Sequence, residues 1–528
     1  MGKVVAIGID GPNTALFDDW MRQGLLPNLA KLEEQGFSGR YAHTKRFRNE
    51  RCWDTFLGGR ELAGTGSVFL PQRYDYYNES LQREGRYQPF YAFAGDKRVC
   101  IFDLPAAISP AVNGLQISGW GSELNAAAAM SRPETLIAEI IARHGADPKL
   151  KHVNTVRDAK TGEMETSYVL PSLYDLPALL DWRDRLKESV RRRCNISLDL
   201  LAREPWDLFL ALFPEAHTAN HMLWHLDQPH PLSPPSGPVG ALLDVFREID
   251  TAVGRILAAL PDRRNVVVFS IDHTAVNNMD LPGMALLPEL LYRWSFPGQQ
   301  ALAAGDASTA VAPALAGDLR HWKHQVWDLL TTHGNAVLAS PERLEAEGSA
   351  LSWNPAAWYQ PRWPDMRAFA LPSVADGFIR LNVKGRESHG LVEPEEFGAT
   401  LDEVTALLER TRNPRTGAAI VKRVLRMRQS PAEQAEIAPD LVVCWDDRYP
   451  SDVLDSPELG RIGPLPYFRS GGHVSHGTPI ENRFFACGPG VAPGRMADVG
   501  KLEDLPVTLL TLMGVRVPES LPGRSLLR

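Results

Sequence analysis

The chain is poor in cysteine. It has five among 528 residues, Cys52, Cys100, Cys194, Cys444 and Cys487, and no two of them form a Cys-x-x-Cys pair. That excludes a zinc ribbon and a paired redox motif, and it predicts free buried thiols in a reducing compartment rather than a disulfide framework. Positive charge is not in excess either. Lys and Arg number 56 against 64 Asp and Glu, the net charge is -8 and the pI is near 6.0, which speaks against a nucleic-acid polymer as partner. No apolar run approaches the ~18 residues that a membrane span requires. The opening "MGKVVAIGIDG" has one lysine and a short apolar stretch. It lacks the long h-region and small-residue cleavage site of a secretory leader. The expectation is a cytoplasmic protein without a membrane partner. No repeat or extended low-complexity tract interrupts it, and no feature reads out an oligomeric state.

What is present is enough to build a large core, since 44% of the residues are hydrophobic. Large α/β enzymes of this length often form one elaborated domain. "KVVAIGID" is a β-branched run that predicts a buried strand ending on Asp10. "LFDDWMRQGLLPNLAKLEEQG" follows with helical periodicity and closes on Gly36. Further strands are expected in "WDLFLALF" (206–213), "NVVVFSIDH" (265–273), "PDLVVCW" (439–445) and "ENRFFACGPG" (481–490), with a final helix in "LEDLPVTLLTLMG" (502–514). Strands alternating with helices predict a mainly parallel sheet covered on both faces. In such sheets ligands gather beside the carboxyl ends of the strands. Two stretches break the rhythm: residues 60–130, a variable aromatic-rich segment, and 285–365, expected to be an insertion or cap.

Histidine is scarce, at fourteen residues, yet "PEAHTANHMLWH" (214–225) places His217, His221 and His225 four apart. On a helix such residues share one face, and two of them can hold one metal ion. His225, near the end of this stretch, is expected to face the substrate rather than the metal. Other donors stand at or just after predicted strand ends: Asp10, the pair Asp272 and His273, and His473 in "GGHVSHGTP". Each alone has a plainer use as a turn residue or a polar helix face. Together these imidazoles and two carboxylates exceed one four-coordinate site and suit two ions sharing a substrate. The imidazole content favours zinc over manganese or iron.

Several of these stretches carry a resemblance. "VVAIGIDG", "GLLPNLAKLEEQG", "FSIDH", "GFIRLNVKGRES", "GGHVSHG", "FFACGPGV" and "LEDLPVTLLTLMGVRVPESLPGRSL" resemble the alkaline phosphatase superfamily, in its type I phosphodiesterase and nucleotide pyrophosphatase branch. The resemblance implies an alkaline-phosphatase-like three-layer α/β sandwich with a cap insertion and two divalent ions, usually zinc, at the carboxyl ends of the strands. It assigns one ion to Asp10, position 49, Asp272 and His273, and the other to His217, His221 and His473. His473 fits better than His476 because it lies four residues before Gly477.

Two departures from the family pattern stand out. His217 takes the place of an aspartate, and Asn49 in "RNERCWDTFLGG" stands where the family has its threonine or serine nucleophile. Thr44, and less well Thr55, are the alternative hydroxyls if the loop is displaced. With Asn49 in place, a water activated by the ions is expected to attack in line, and Asn49 orients that water or the departing oxygen while also facing a metal. The run "KRFRNER" adds Lys45, Arg46, Arg48 and Arg51. It reads equally as a solvated basic loop or as a set of phosphate-binding cations. In the second reading Arg48 or Arg51 stabilises developing charge, and Lys45 and Arg46 bind substrate. Two ions opposed by only two carboxylates leave a positive site that favours a small anionic substrate. The expected activity is hydrolysis of a phosphate or phosphonate ester, diesters included. The alternatives are a phosphoryl transferase, mutase or lyase on the same scaffold, or a silent relative that binds a metal or an anion.

Overall fold

A computed structural model describes the chain except for residues 1, 48–51, 62–67, 73–74, 80–87, 122–124, 127–128, 152, 158, 160–163, 169, 235, 262–263, 278–279, 303–321, 333–336, 350, 434–438, 475–478 and 528. The centre of the fold is a ten-stranded sheet. Five of its strands run parallel and side by side: β1 (Lys3–Asp10), β2 (Val99–Phe102), β3 (Gly114–Ser118), β4 (Leu208–Phe213) and β5 (Arg264–Ile271), in the spatial order β5-β1-β4-β2-β3. The strand Ile480–Cys487 continues the sheet antiparallel to β5, and Phe37–His43 lies antiparallel beyond it. The mainly parallel α/β sheet expected from the sequence is therefore present.

Alternation along β1 shows how the layers form. Val5, Ile7 and Ile9 point into one apolar cluster and Val4 and Ala6 into a second on the opposite face. The first face is covered by helices α1 (Leu176–Arg203), α2 (Glu215–Asp227) and α3 (Ala241–Ala258), the second by Cys52–Gly58 and Asp504–Leu512. A strand buried on both faces needs no polar side, which is why these segments read as continuous apolar runs.

Three placements go beyond the sequence reading. The aromatic-rich segment 60–130 supplies two of the five parallel strands, β2 and β3. "PDLVVCW" does not join the central sheet; Leu441–Trp445 belongs to a separate four-stranded antiparallel sheet with Ala368–Leu371, Gly377–Leu381 and Val421–Arg426. Within 285–365, the described residues Leu287, Leu290, Tyr292, Trp358 and Trp363 are buried in the same large core as the first face. Among the described residues no helix is long and apolar enough to cross a membrane.

Candidate metal centre

The carboxyl ends of β1, β4 and β5 lie side by side, and each delivers a functional group there. β1 ends on Asp10, and Gly11 follows with a left-handed φ of 61°. A Cβ on Gly11 would stand 3.3 Å from the His217 side chain, so glycine lets the chain turn past that ring. β4 runs into α2, whose helical spacing stacks His217 and His221 with ring centroids 4.5 Å apart. β5 leads into Asp272, which adopts φ 63°, a conformation open to aspartate but uncommon outside glycine. The third imidazole arrives on the short strand Gly471–His473, paired with Thr274–Val276. A Cβ on Gly471 would lie 2.0 Å from the Asn220 carbonyl oxygen. The "GGH" sequence is thus a strand that must pass close against α2, and this close pass brings His473 to within 4.8 Å of His217, centroid to centroid.

The three rings converge through their Nε2 atoms. His217 Nε2 is 2.7 Å from His221 Nε2 and 3.2 Å from His473 Nε2. Each ring has an oxygen on its other side. His217 Nδ1 donates to Asp10 Oδ2 at 3.0 Å, His221 Nδ1 donates to the Gly471 carbonyl at 2.7 Å, and His473 Nδ1 lies 3.2 Å from Asp272 Oδ2. Carboxylate or carbonyl groups behind imidazoles are the usual device for fixing which nitrogen faces a metal. Lone pairs facing each other at these distances repel unless a proton or a cation lies between them. The donor set therefore fits one divalent ion of the kind that imidazole nitrogens bind.

The electrostatics follow from the same contacts. Burial works against a charged His217, yet Asp10 holds its imidazole above the usual histidine range. Burial, with Arg469 beside it, pushes His221 well below that range. Burial also lowers His473, against the pull of Asp272. Burial opposes the ionised form of Asp272, but Lys45 and His473 hold its carboxyl well below the usual carboxylate range. Arg469 places Nη1 3.1 Å from His221 Nε2 and is anchored through Nε to Asp280 Oδ2 at 2.7 Å.

The remaining predicted residues are placed differently. Lys45 is buried, and its Nζ lies 2.8 and 3.0 Å from the two oxygens of Asp272. It is an internal ion-pair partner rather than a group exposed to a ligand. His273 turns away from the carboxylates. Its Nδ1 meets the Thr14 backbone N–H at 3.2 Å and Thr14 Oγ1 at 2.9 Å, and its Nε2 lies 3.2 Å from Asn13 Nδ2. It lines a cleft with Thr14, Arg40 and Glu481. His225, expected to face the substrate, is buried, with Nδ1 2.8 Å from Ser470 Oγ. The helix runs a full turn past His221 and carries the ring into the core. Arg46 and Thr44 are exposed, and Thr55 is half-buried on Cys52–Gly58. Arg48, Asn49 and Arg51 lie outside the described residues.

Sequence reasoning missed four groups: Arg469, Trp53, whose Nε1 donates to Asp10 Oδ1 at 3.2 Å, and His43 and Cys52 beside Asp272. Only Arg469 had a signal in the sequence, as a lone cation four residues before His473 in "RSGGH".

Residues 125–305 match the family model for type I phosphodiesterase / nucleotide pyrophosphatase. This match agrees with the type I phosphodiesterase branch of the resemblance and holds His217, His221, Asp272 and His273; of the motifs quoted for the resemblance, only "FSIDH" lies inside it. Phosphonoacetate hydrolase from Sinorhizobium meliloti 1021, solved in complex with phosphonoacetate, is 13% identical, with 97% of this chain and 96% of that one covered, at a TM-score of 0.46. Murine ectonucleotide pyrophosphatase / phosphodiesterase 5, an inactive variant in complex with AMP, is 10% identical, covering 99% and 97%, at 0.45. A mutant of alkaline phosphatase PafA is 10% identical, covering 99% and 98%, at 0.47. No match to the sequence is found among curated proteins.

Proposed function

We propose that this chain hydrolyses a phosphate or phosphonate ester with a divalent cation, zinc by preference, held by His217, His221 and His473. The observation that carries the reading is the convergence of three Nε2 atoms, with an oxygen behind each ring. The match to the phosphodiesterase family model over the segment that holds two of these histidines supports the reaction class. A cation there supplies Lewis acidity toward a phosphoryl oxygen and makes a water acidic near neutral pH.

The chain's own residues do the rest. Asp10 and Asp272 orient two of the rings, and Arg469 fixes a positive charge beside the point where the rings meet. Among the described residues Asp10, Asp272 and Asp280 are opposed by Lys45 and Arg469. One divalent cation turns that balance slightly positive. The surplus favours an anionic ester, and the match to a phosphodiesterase family model favours the diester. Asn49 stands in the sequence where the family has its nucleophile, so water is the attacking group in this reading, with Arg48 and Arg51 as further cations for the phosphoryl oxygens.

The test uses zinc-loaded protein with bis(p-nitrophenyl) phosphate and p-nitrophenyl phosphate. Expected are release of p-nitrophenol from the diester in excess of the monoester, its loss on chelation, and its loss in His221→Ala. Oxygen-18 from solvent should enter the phosphate product. Equal turnover by His221→Ala sinks the site, and product free of solvent oxygen makes the reaction a transfer.

A further inference from the structure

The family resemblance assigns a second ion to Asp10, position 49, Asp272 and His273, and the structure gives those described donors other work. Both oxygens of Asp272 face Lys45 Nζ, at 2.8 and 3.0 Å, and Lys45 is only 3% exposed. The two oxygens of Asp10 are taken by Trp53 Nε1 and His217 Nδ1. Both ring nitrogens of His273 face Asn13 and Thr14. A second ion would have to sit against the Asp272 carboxylate, where a buried ammonium already supplies the positive charge.

We infer that Lys45 Nζ takes the place of the second cation, so that the centre holds a single ion, on the three imidazoles. The inference rests on the imidazole site proposed above. Its physical basis is that a buried cation and a buried anion in bidentate contact satisfy one another, and removing either leaves the other uncompensated at a large cost. Lys45 is also tethered, two residues beyond the end of the strand Phe37–His43.

The same geometry shows what Lys45 holds closed. His43, Cys52 and Asp272 each offer one donor atom, all within 4.8 Å of one another. Both ring nitrogens of His43 are buried without a hydrogen-bond partner. Imidazole, thiolate and carboxylate together make a set that suits zinc. Without the ammonium, Asp272 loses its buried counter-charge, and these three groups become a site for a second ion.

The experiment is equilibrium dialysis of the full chain against zinc, followed by elemental analysis. One ion per wild-type chain, none in His221→Ala, and two in Lys45→Ala is the expected pattern. Lys45→Arg, which keeps the charge, should stay at one. Cobalt(II) gives a second readout independent of activity: a thiolate-to-cobalt charge-transfer band from Cys52 should be present in Lys45→Ala and absent in wild type. Two ions in the wild type overturn the inference while leaving the imidazole site standing. Zero ions overturn both. A Lys45→Ala chain that stays at one ion, without the charge-transfer band, shows that Lys45 is not what excludes the second ion and also overturns the inference. The wild-type measurement needs no variant to fold.

Discussion

Two aspartates in this molecule share one backbone device and serve opposite ends. Asp103 follows β2 and Asp272 follows β5; both stand at the carboxyl end of a parallel strand with left-handed φ, 59° and 63°. Asp103 is closed off by the protein. It accepts from the Trp120 and Gly121 backbone N–H groups at 2.8 and 2.9 Å and lies 2.9 Å from Arg193 Nη1. Arg193 is fully buried, reaches Glu215 through Nε at 2.9 Å and lies over the rings of Phe102 and Trp120. Asp272 has Lys45 on one side, but on the other it backs an imidazole whose free nitrogen points at two more. The first arrangement sets one buried cation between two buried carboxylates and builds structure. The second leaves lone pairs aimed at a common point, and the proposed metal site rests on that unfinished valence.

The largest effect that would test this contrast is Arg193→Met. Removing one partner from a buried cluster leaves Asp103 and Glu215 uncompensated, so urea unfolding should show a loss of about 3–5 kcal/mol, and zinc should restore none of it. Full rescue by zinc would mean that the two strand ends are not different in kind.

Next in size is a dependence on pH carried by two buried imidazoles outside the metal centre. Burial lowers His225 to about 4 and His230 to about 3. The unfolded chain therefore takes up these protons first. The contribution of these two rings should be flat above the ordinary histidine range, fall as pH drops from ~6.5 toward 4, and lose roughly 3 kcal/mol for His225 alone. Denaturation midpoints at pH 7.5 and pH 5 measure it, and His230→Phe should shrink the difference. Equal midpoints would contradict the buried neutral state of these rings.

The smallest effect is Asp10→Asn. The amide keeps the shape and loses the charge behind His217. Zinc affinity should weaken by about 10- to 100-fold with little change in fold stability. Isothermal titration reads the affinity, and an unchanged value would show that Asp10 does not set the ring.

Much of this was legible beforehand, and the misses have physical causes. "KVVAIGID", "WDLFLALF" and "NVVVFSIDH" announced strands because a strand buried on both faces is apolar throughout. The same property hid which sheet "PDLVVCW" joins, since a buried strand reads alike in either. β2 spans four residues, too few to show a period. The His217–His221 pair was legible because both partners lie on one helix. Lys45 was visible as a cation but read as a loop residue, because its partner Asp272 is 227 positions away. Arg469 was missed for the same reason, its histidine lying 248 positions off.

The sequence by itself determined which elements form and which donor types stand at the strand ends, because periodicity and helical spacing are local properties of a chain. The resemblance already grouped His473 with His217 and His221; only the tertiary structure decided that Lys45 takes Asp272 and that His273 turns to Thr14. Those pairings depend on Coulomb and hydrogen-bonding distances of a few ångströms between segments hundreds of residues apart, and no local pattern encodes such distances.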